Sequence, residues 1–360
     1  MTARFAVPVI VALGFVVMLL AGAWVLRGTP GTLVNEAPGR IGPTPGLDGS
    51  TILVTVEEGD SAEEIGTKLL DAGVIESAPL FRVLTSLMGE GDHLAPGVYE
   101  FTRGTTALSA VQRISQGITA ANIVTFPEGL RANEFAEILE QNGVAEAGFF
   151  RLAQQEQYQG SFLSEVPPGV GYEGFLFPAT YGFRQDEPVH DVVQQMLDAF
   201  DQRYQEEILP RLPASGLSLY EIVTLASIVE REAQVPSERP IIASVFLNRL
   251  NQDFPLQADP TVQYALGSDP ASVAEFGFWK QELSAADLEI ASPYNTYVFV
   301  GLPPGPIANP GLDSILAALE PARTNYLFFV AREDGSHVFA ETLEEHNTNV
   351  CTIYPERSEC

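Results

Sequence analysis

The chain has 360 residues, with 19 Lys and Arg against 47 Asp and Glu, and a formal net charge of −28. That length is enough for about two to three domains, and a hydrophobic share of 46% excludes wholesale disorder. The acidity excludes a nucleic-acid binder and disfavours an anionic lipid surface as ligand, while leaving a neutral or mixed-charge polymer open.

Residues 6–26 form a 21-residue run without a charge, long enough as a helix to cross about 30 Å of hydrocarbon. A cleaved signal peptide is the other reading. Its apolar part runs only about 7–15 residues, and Trp24 to Arg27 make a poor cleavage site, so residues 1–26 read as a retained anchor. Arg4 and Arg27 flank the span and leave its orientation nearly balanced. Residues 27–50 carry six glycines and four prolines and read as a flexible linker.

A β-rich run at 52–56 precedes Ser61 and Glu64, spaced as a capping box. The helix they open places Ile65, Leu69 and Leu70 on one face and stops at Gly73. A second helix spans 80–88, a strand 97–101 and a third helix 107–117, giving the order β-α-α-β-α. The next segment offers a strand at 123–126 and helices at 132–141 and 149–155. Residues 188–209 read as one long amphipathic helix, with Val192, Met196, Phe200, Tyr204 and Ile208 at steps of four. Ser218 and Glu221 form another capping box, before a helix ending in Glu230-Arg231-Glu232, and residues 239–250 form the next. Residues 301–311 are a Gly/Pro loop, 315–318 lie in a helix, and 326–331 and 337–340 pair as strands around Asp334-Gly335.

At 100° per residue, Ile222, Ala226, Val229 and Ala233 centre the apolar stripe of the helix after Ser218. Glu230 falls about 80° to one side and Glu232 about 80° to the other, with Arg231 pointing away from the core. Either glutamate borders buried surface, and either could instead be a surface acid paired with Arg231 or Arg239. A carboxyl group at the edge of an apolar cleft has its pKa raised and can act as a general acid near neutrality, which suits protonation of a glycosidic oxygen. Downstream, Gln257, Asp259, Thr261, Asn295 and Tyr297 set hydrogen-bonding side chains in apolar or turn sequence. They read as lining for a sugar-binding cleft or, for Asp259 and Asn295 especially, as turn caps. The four histidines are scattered and no HExxH or CxxC occurs, so no metal ligand set is expected. Cys351 and Cys360, the two cysteines, either close a small loop in an oxidising compartment or remain exposed thiols.

Three long motifs, residues 225–267 (LASIVEREAQVPSERPIIASVFLNRLNQDFPLQADPTVQYALG), 292–311 (SPYNTYVFVGLPPGPIANPG) and 173–181 (EGFLFPATY), resemble the YceG/MltG-like endolytic murein transglycosylases. The resemblance implies an α+β chain: an N-terminal transmembrane helix (1–26), the linker (27–50), a small LysM-like β-α-α-β subdomain (51–120), a mixed α/β catalytic domain (121–347) and a short tail (348–360). It implies Glu232, the second glutamate of the motif, as catalytic acid, Glu230 as structural, and cleavage of the bond between N-acetylmuramic acid and N-acetylglucosamine in peptidoglycan glycan strands. It also implies a 1,6-anhydro product, no cofactor, a plasma-membrane location with the catalytic domain outside, and cell-wall synthases as further candidate partners. Ala258 stands where the family pattern has a hydroxyl residue. Three alternatives remain: a hydrolytic muramidase using Asp259 or Glu173 as second carboxylate, a non-catalytic peptidoglycan-binding anchor, and, compatible with the enzyme, a scaffold recruiting division or elongation synthases through its transmembrane helix.

Overall fold

The computed structural model describes residues 51–90, 93–184, 187–356 and 360. The expected anchor and linker therefore lie outside the described residues, among which no helix is long and apolar enough to cross a membrane. The described chain is a mixed α/β structure of thirteen helices and three two-stranded antiparallel sheets.

The first lobe follows the expected order. Strand β1 (Thr51–Val56) pairs antiparallel with β2 (Gly97–Thr102), Val54 opposite Tyr99 and Ile52 opposite Phe101. Helices α1 (Ala62–Asp71) and α2 (Ala78–Met88) connect them, and α3 (Ala107–Ser115) follows. Ser61 and Glu64 form the reciprocal cap of α1, satisfying donors a helix start leaves free. The buried face of α1 is Ile65, Gly66 and Leu69, whereas Leu70 turns outward at 39% exposure. With Val54, Val56, Phe81, Tyr99, Phe101, Val111 and Ile114 these side chains make a small, separate core.

The second lobe is built on α8 (Leu219–Glu232), capped by Ser218 and Glu221. Every residue from Ile222 to Val229 is buried, as expected of a helix apolar all round. Around it stand α9 (Arg239–Leu250), α10 (Asp259–Leu266) and α12 (Leu312–Leu319). Before α8 come β3 (Ile123–Thr125), α4 (Ala132–Gln141), α5 (Ala147–Ala153), β4 (Thr180–Gly182), α6 (Val189–Arg203) and the short α7 (Leu212–Ser215). The long helix expected over 188–209 is α-helical only to Arg203; Tyr204–Ile208 widens into a π turn. Residues spaced four apart stay on one face in either form, so Met196, Phe200, Tyr204 and Ile208 are all buried regardless. Phe175 stacks on Phe162 and on Tyr220 of α8, and Phe200 meets Phe162 and Phe175 at an angle.

Several elements, the short α7 among them, were not expected from the sequence. Strand β4 pairs with β3, Val124 opposite Tyr181. Helix α11 (Pro270–Phe276) follows α10. Helix α13 (Leu343–Ile353) packs on the hairpin β5 (Phe328–Ala331) and β6 (His337–Ala340), so residues 348–353 continue a helix. Cys351 in that helix forms a disulfide with Cys360.

Candidate active site

The loop 301–311 has no helix or strand of its own, yet it ties the site together through Asn309, which is fully buried. Its Oδ1 accepts from the backbone N–H groups of Gly174 (2.8 Å) and Leu176 (3.1 Å), and its Nδ2 donates to Leu130 O and to Glu173 Oε1. Gly174 adopts φ +88°, and a Cβ there would stand 2.6 Å from Pro306; a side chain would push the two loops apart.

Helix α8 delivers its last turn into this setting. Glu230 is taken up by structure. Its Oε2 accepts from Gly311 N (3.1 Å), its Oε1 lies 3.3 Å from Arg239 Nη2, and its side chain is 7% exposed. Arg231 was expected to point away from the core. Instead it is half-buried, donates to Gly129 O and lays its guanidinium 3.9 Å from the centre of the Trp279 ring. The turn 127–129 and the 277–281 segment supply the surface that sequence periodicity within one helix could not reveal.

Glu232 is half-buried, and burial pushes its carboxyl up to about 8, with the negative charge of Asp259 adding to the shift. Arg249 and Arg231 pull the other way, and no hydrogen bond contributes. The C-terminal end of α8 is also a poor place for an anion. A carboxyl group that holds its proton near neutrality and makes no hydrogen bond among the described residues can give that proton to a substrate.

Asp259 begins α10 and is exposed; its Oδ1 accepts from the Tyr297 hydroxyl at 2.6 Å. Tyr297 is held in turn, its N–H donating to Asn295 Oδ1 at 2.9 Å. Glu232, Asp259 and Tyr297 thus form one electrostatic group, since the charges of both Asp259 and Glu232 raise the Tyr297 pKa. Gln257 is exposed beside them at φ +47°, its N–H donating to Thr296 O.

Thr261 and Asn295 are different. Both are fully buried. Thr261 Oγ1 meets Ala258 O (2.6 Å) and Thr296 Oγ1 (2.8 Å), and Asn295 Nδ2 donates to Leu288 O and Ile290 O, each at 3.0 Å. Thr261 locks the strap at 292–297 onto the start of α10, Asn295 ties it to the turn at 288–290, and neither presents a free polar atom to a ligand among the described residues. Ala258 is also buried, and its N–H donates to Thr296 Oγ1.

Arg249 carried no role in the sequence reading. It is buried between the Phe254 and Phe328 rings, and donates from Nε to Leu327 O and from Nη1 to Leu256 O, both at 2.6 Å. An arginine inside an otherwise apolar helical stretch was the one signal for it. Glu173 stands apart from Glu232. Its Oε1 accepts from Ala132 N and Asn309 Nδ2, both at 2.9 Å, and burial raises its carboxyl to about 7. The charges it feels are those of Arg131 and Glu134.

Comparison with known proteins agrees with this architecture. The chain is 34% identical over 312 residues to a Bacillus subtilis protein named endolytic murein transglycosylase, covering 83% of each. It is 29% identical over 324 residues to a protein of the same name from Streptococcus pneumoniae strain D39, covering 83% of this chain and 58% of that relative. The crystal structure of a YceG-like protein from Listeria monocytogenes superposes with a TM-score of 0.56 at 31% identity, over 84% of this chain and 99% of the other. The model of the YceG-like family matches residues 54–352, and the chain belongs to that family.

Proposed function

We propose that this chain is an endolytic lytic transglycosylase of peptidoglycan. It cuts the β-1,4 bond between N-acetylmuramic acid and N-acetylglucosamine within glycan strands, and so trims or ends nascent chains. The observation that carries this reading is the Glu232 carboxyl, half-buried, raised to about 8 and without a hydrogen bond contributing to that shift. Glu232 protonates the glycosidic oxygen as the bond to the muramic C1 breaks. The ionised carboxylate then takes the proton of the same sugar's 6-hydroxyl as that oxygen closes on C1. The product is a 1,6-anhydro end, the acid is regenerated, and no water enters. One carboxyl serves as acid and base in turn, with a contribution of roughly 10²–10⁴ in rate. Asp259, fixed by Tyr297, holds negative charge near the developing cation, and exposed Gln257 is placed to contact the strand. Thr261 and Asn295 act by positioning.

A hydrolytic muramidase remains the second reading, favoured by the proximity of a second carboxylate, Asp259, to Glu232. The first lobe, with its β-α-α-β order, fits a LysM-like glycan-holding module. The apolar run 6–26 fits a single membrane anchor, and the Cys351–Cys360 disulfide supports an oxidising, extracytoplasmic location. Cell-wall synthases are the partners such a placement would suit.

The test uses full-length chain recovered from carbonate-washed membranes and incubated with purified sacculi. Wild-type and Glu230→Gln protein should release anhydro-muropeptides, and Glu232→Gln should release none at equal folded concentration. Reducing ends in place of anhydro ends would establish the hydrolase, and activity in the Glu232 variant would remove this residue from the mechanism. Loss of the chain from washed membranes would remove the anchor.

A further inference from the structure

The mechanism leaves unused a cavity of about 1070 Å³. It lies between the start of α4, the end of α5 and the loop that runs from Val166 to Glu173. Its chemistry is consistent around the wall. Asn133, Gln154, Gln155 and Gln157 all line it, and none of these four carboxamides has a side-chain hydrogen bond among the described residues. A carboxamide both donates and accepts, which matches sugar hydroxyls and the amide of an N-acetyl group. Pro167 and Pro168 and the Tyr172 ring add apolar surface suited to the C–H faces of a pyranose.

The charge of the lining argues against an acidic guest. Arg151 is its one cation, set against the carboxyl groups of Glu156 and Glu173. A peptide carrying carboxylates would meet no net attraction there. An uncharged saccharide would meet no penalty.

Glu173 also relates the cavity to the catalytic elements. Its charge reaches Tyr264, on the helix that begins at Asp259, and Tyr294, in the strap that carries Asn295 and Tyr297. Glu173 therefore lines the cavity and lies within electrostatic reach of the elements that present Asp259 and Tyr297.

We propose that this cavity is a second glycan subsite, taking an uncharged, N-acetylated stretch of β-1,4 glycan. The proposal rests on the glycan-cleaving function above and adds to it a place where the strand is gripped outside the group around Glu232.

The experiment is a calorimetric titration of the full-length Glu232→Gln chain with the β-1,4-linked hexamer of N-acetylglucosamine. It is repeated with Gln154→Ala/Gln157→Ala and, separately, with Gly171→Trp added. Gly171 lies in the lining, and the nearest atom to a Cβ built there is Gln154 Oε1 at 3.9 Å, so the indole has room to enter the cavity. Both changes should weaken hexamer binding about tenfold, which corresponds to the loss of one or two hydrogen bonds or their steric exclusion. On sacculi, with Glu232 intact, they should raise KM and leave kcat unchanged. Equal hexamer affinity in the Gly171→Trp chain would overturn the subsite. So would an absence of hexamer binding alongside binding of a free stem pentapeptide. If wild-type digestion of sacculi gives neither anhydro nor reducing ends, the glycan-cleaving reading fails by its own assay. The titration separately decides whether the cavity holds glycan.

Discussion

For Glu232 as the proposed acid, burial sets the pH range in which it would act. With its carboxyl raised to about 8, it carries a proton through neutrality, and turnover should fall as pH rises past that value. Asp259 is the second cause of the shift. Asp259→Asn keeps an acceptor for the Tyr297 hydroxyl and removes the charge. The alkaline limb should then move to lower pH, by about half a unit to one unit, each unit being about 1.4 kcal/mol of interaction. An unmoved limb would show that the two carboxyl groups do not couple. Stability should respond as well. The native state holds the Glu232 proton up to about 8, whereas an unfolded chain releases it near 4.5. Between those values the folded state binds more protons, so raising pH lowers stability. Glu232→Gln should therefore gain nothing below about pH 4.5 and gain progressively up to about pH 8. The plateau should be on the order of 1–3 kcal/mol, below the full shift because the carboxyl is partly solvated. Thermal melts of both proteins across pH 4 to 9 check the trend, and a gap that narrows with rising pH would contradict the assigned shift.

At the scale of elements, the site depends on segments without regular structure, held by one amide. Asn309→Ala would leave Gly174 N and Leu176 N without an acceptor in a buried setting, while Leu130 O keeps the Asn309 backbone N–H and Glu173 Oε1 keeps Ala132 N. Each unmet group costs about 1–3 kcal/mol before relaxation. A net loss of about 2–5 kcal/mol is expected, read as a lower denaturation midpoint at unchanged slope. A loss under 1 kcal/mol would mean that water or loop movement replaces the amide. Such ties also explain what sequence could and could not convey. Helices announced by reciprocal caps, Ser61 with Glu64 and Ser218 with Glu221, were legible because cap and periodicity are local. The β3–β4 pair was not, because its three-residue strands are far apart in sequence. Helices α11 and α13 lack a strong apolar stripe; α13 buries only Val350. Periodicity left Glu230 and Glu232 equivalent, since what separates them, Gly311 N and Arg239 on one side and Asp259 on the other, comes from other elements. Polar side chains in apolar sequence gave one signal for two outcomes. Asp259 and Gln257 reach the surface, while Thr261 and Asn295 are buried hydrogen-bonded supports.

The whole molecule carries two hydrophobic cores, one running from Val54 to Ile114 and one formed from Val124 onward. Strand β2 meets the turn at Ala120–Asn122, and Ile118 packs on Gly182. Lobes with separate hydrophobic cores should unfold as separate cooperative units. Phe81 gives the sharpest probe, because it is fully buried in the small core and packs against α1 at Gly66. Phe81→Ala removes most of a ring and leaves a cavity, at a cost of about 3–5 kcal/mol. Differential calorimetry should resolve two transitions in the wild-type chain, and the variant should lower one while the other stays in place. Glu232, its partners and Asn309 all belong to the larger lobe, so cleavage of short soluble glycan strands should persist when the small lobe melts. Retention on intact sacculi should fall, because the small lobe is the part read as a glycan-holding module. A single transition that moves as a whole would show that the two cores fold as one unit, and loss of short-strand cleavage with it would place the small lobe inside the catalytic machinery.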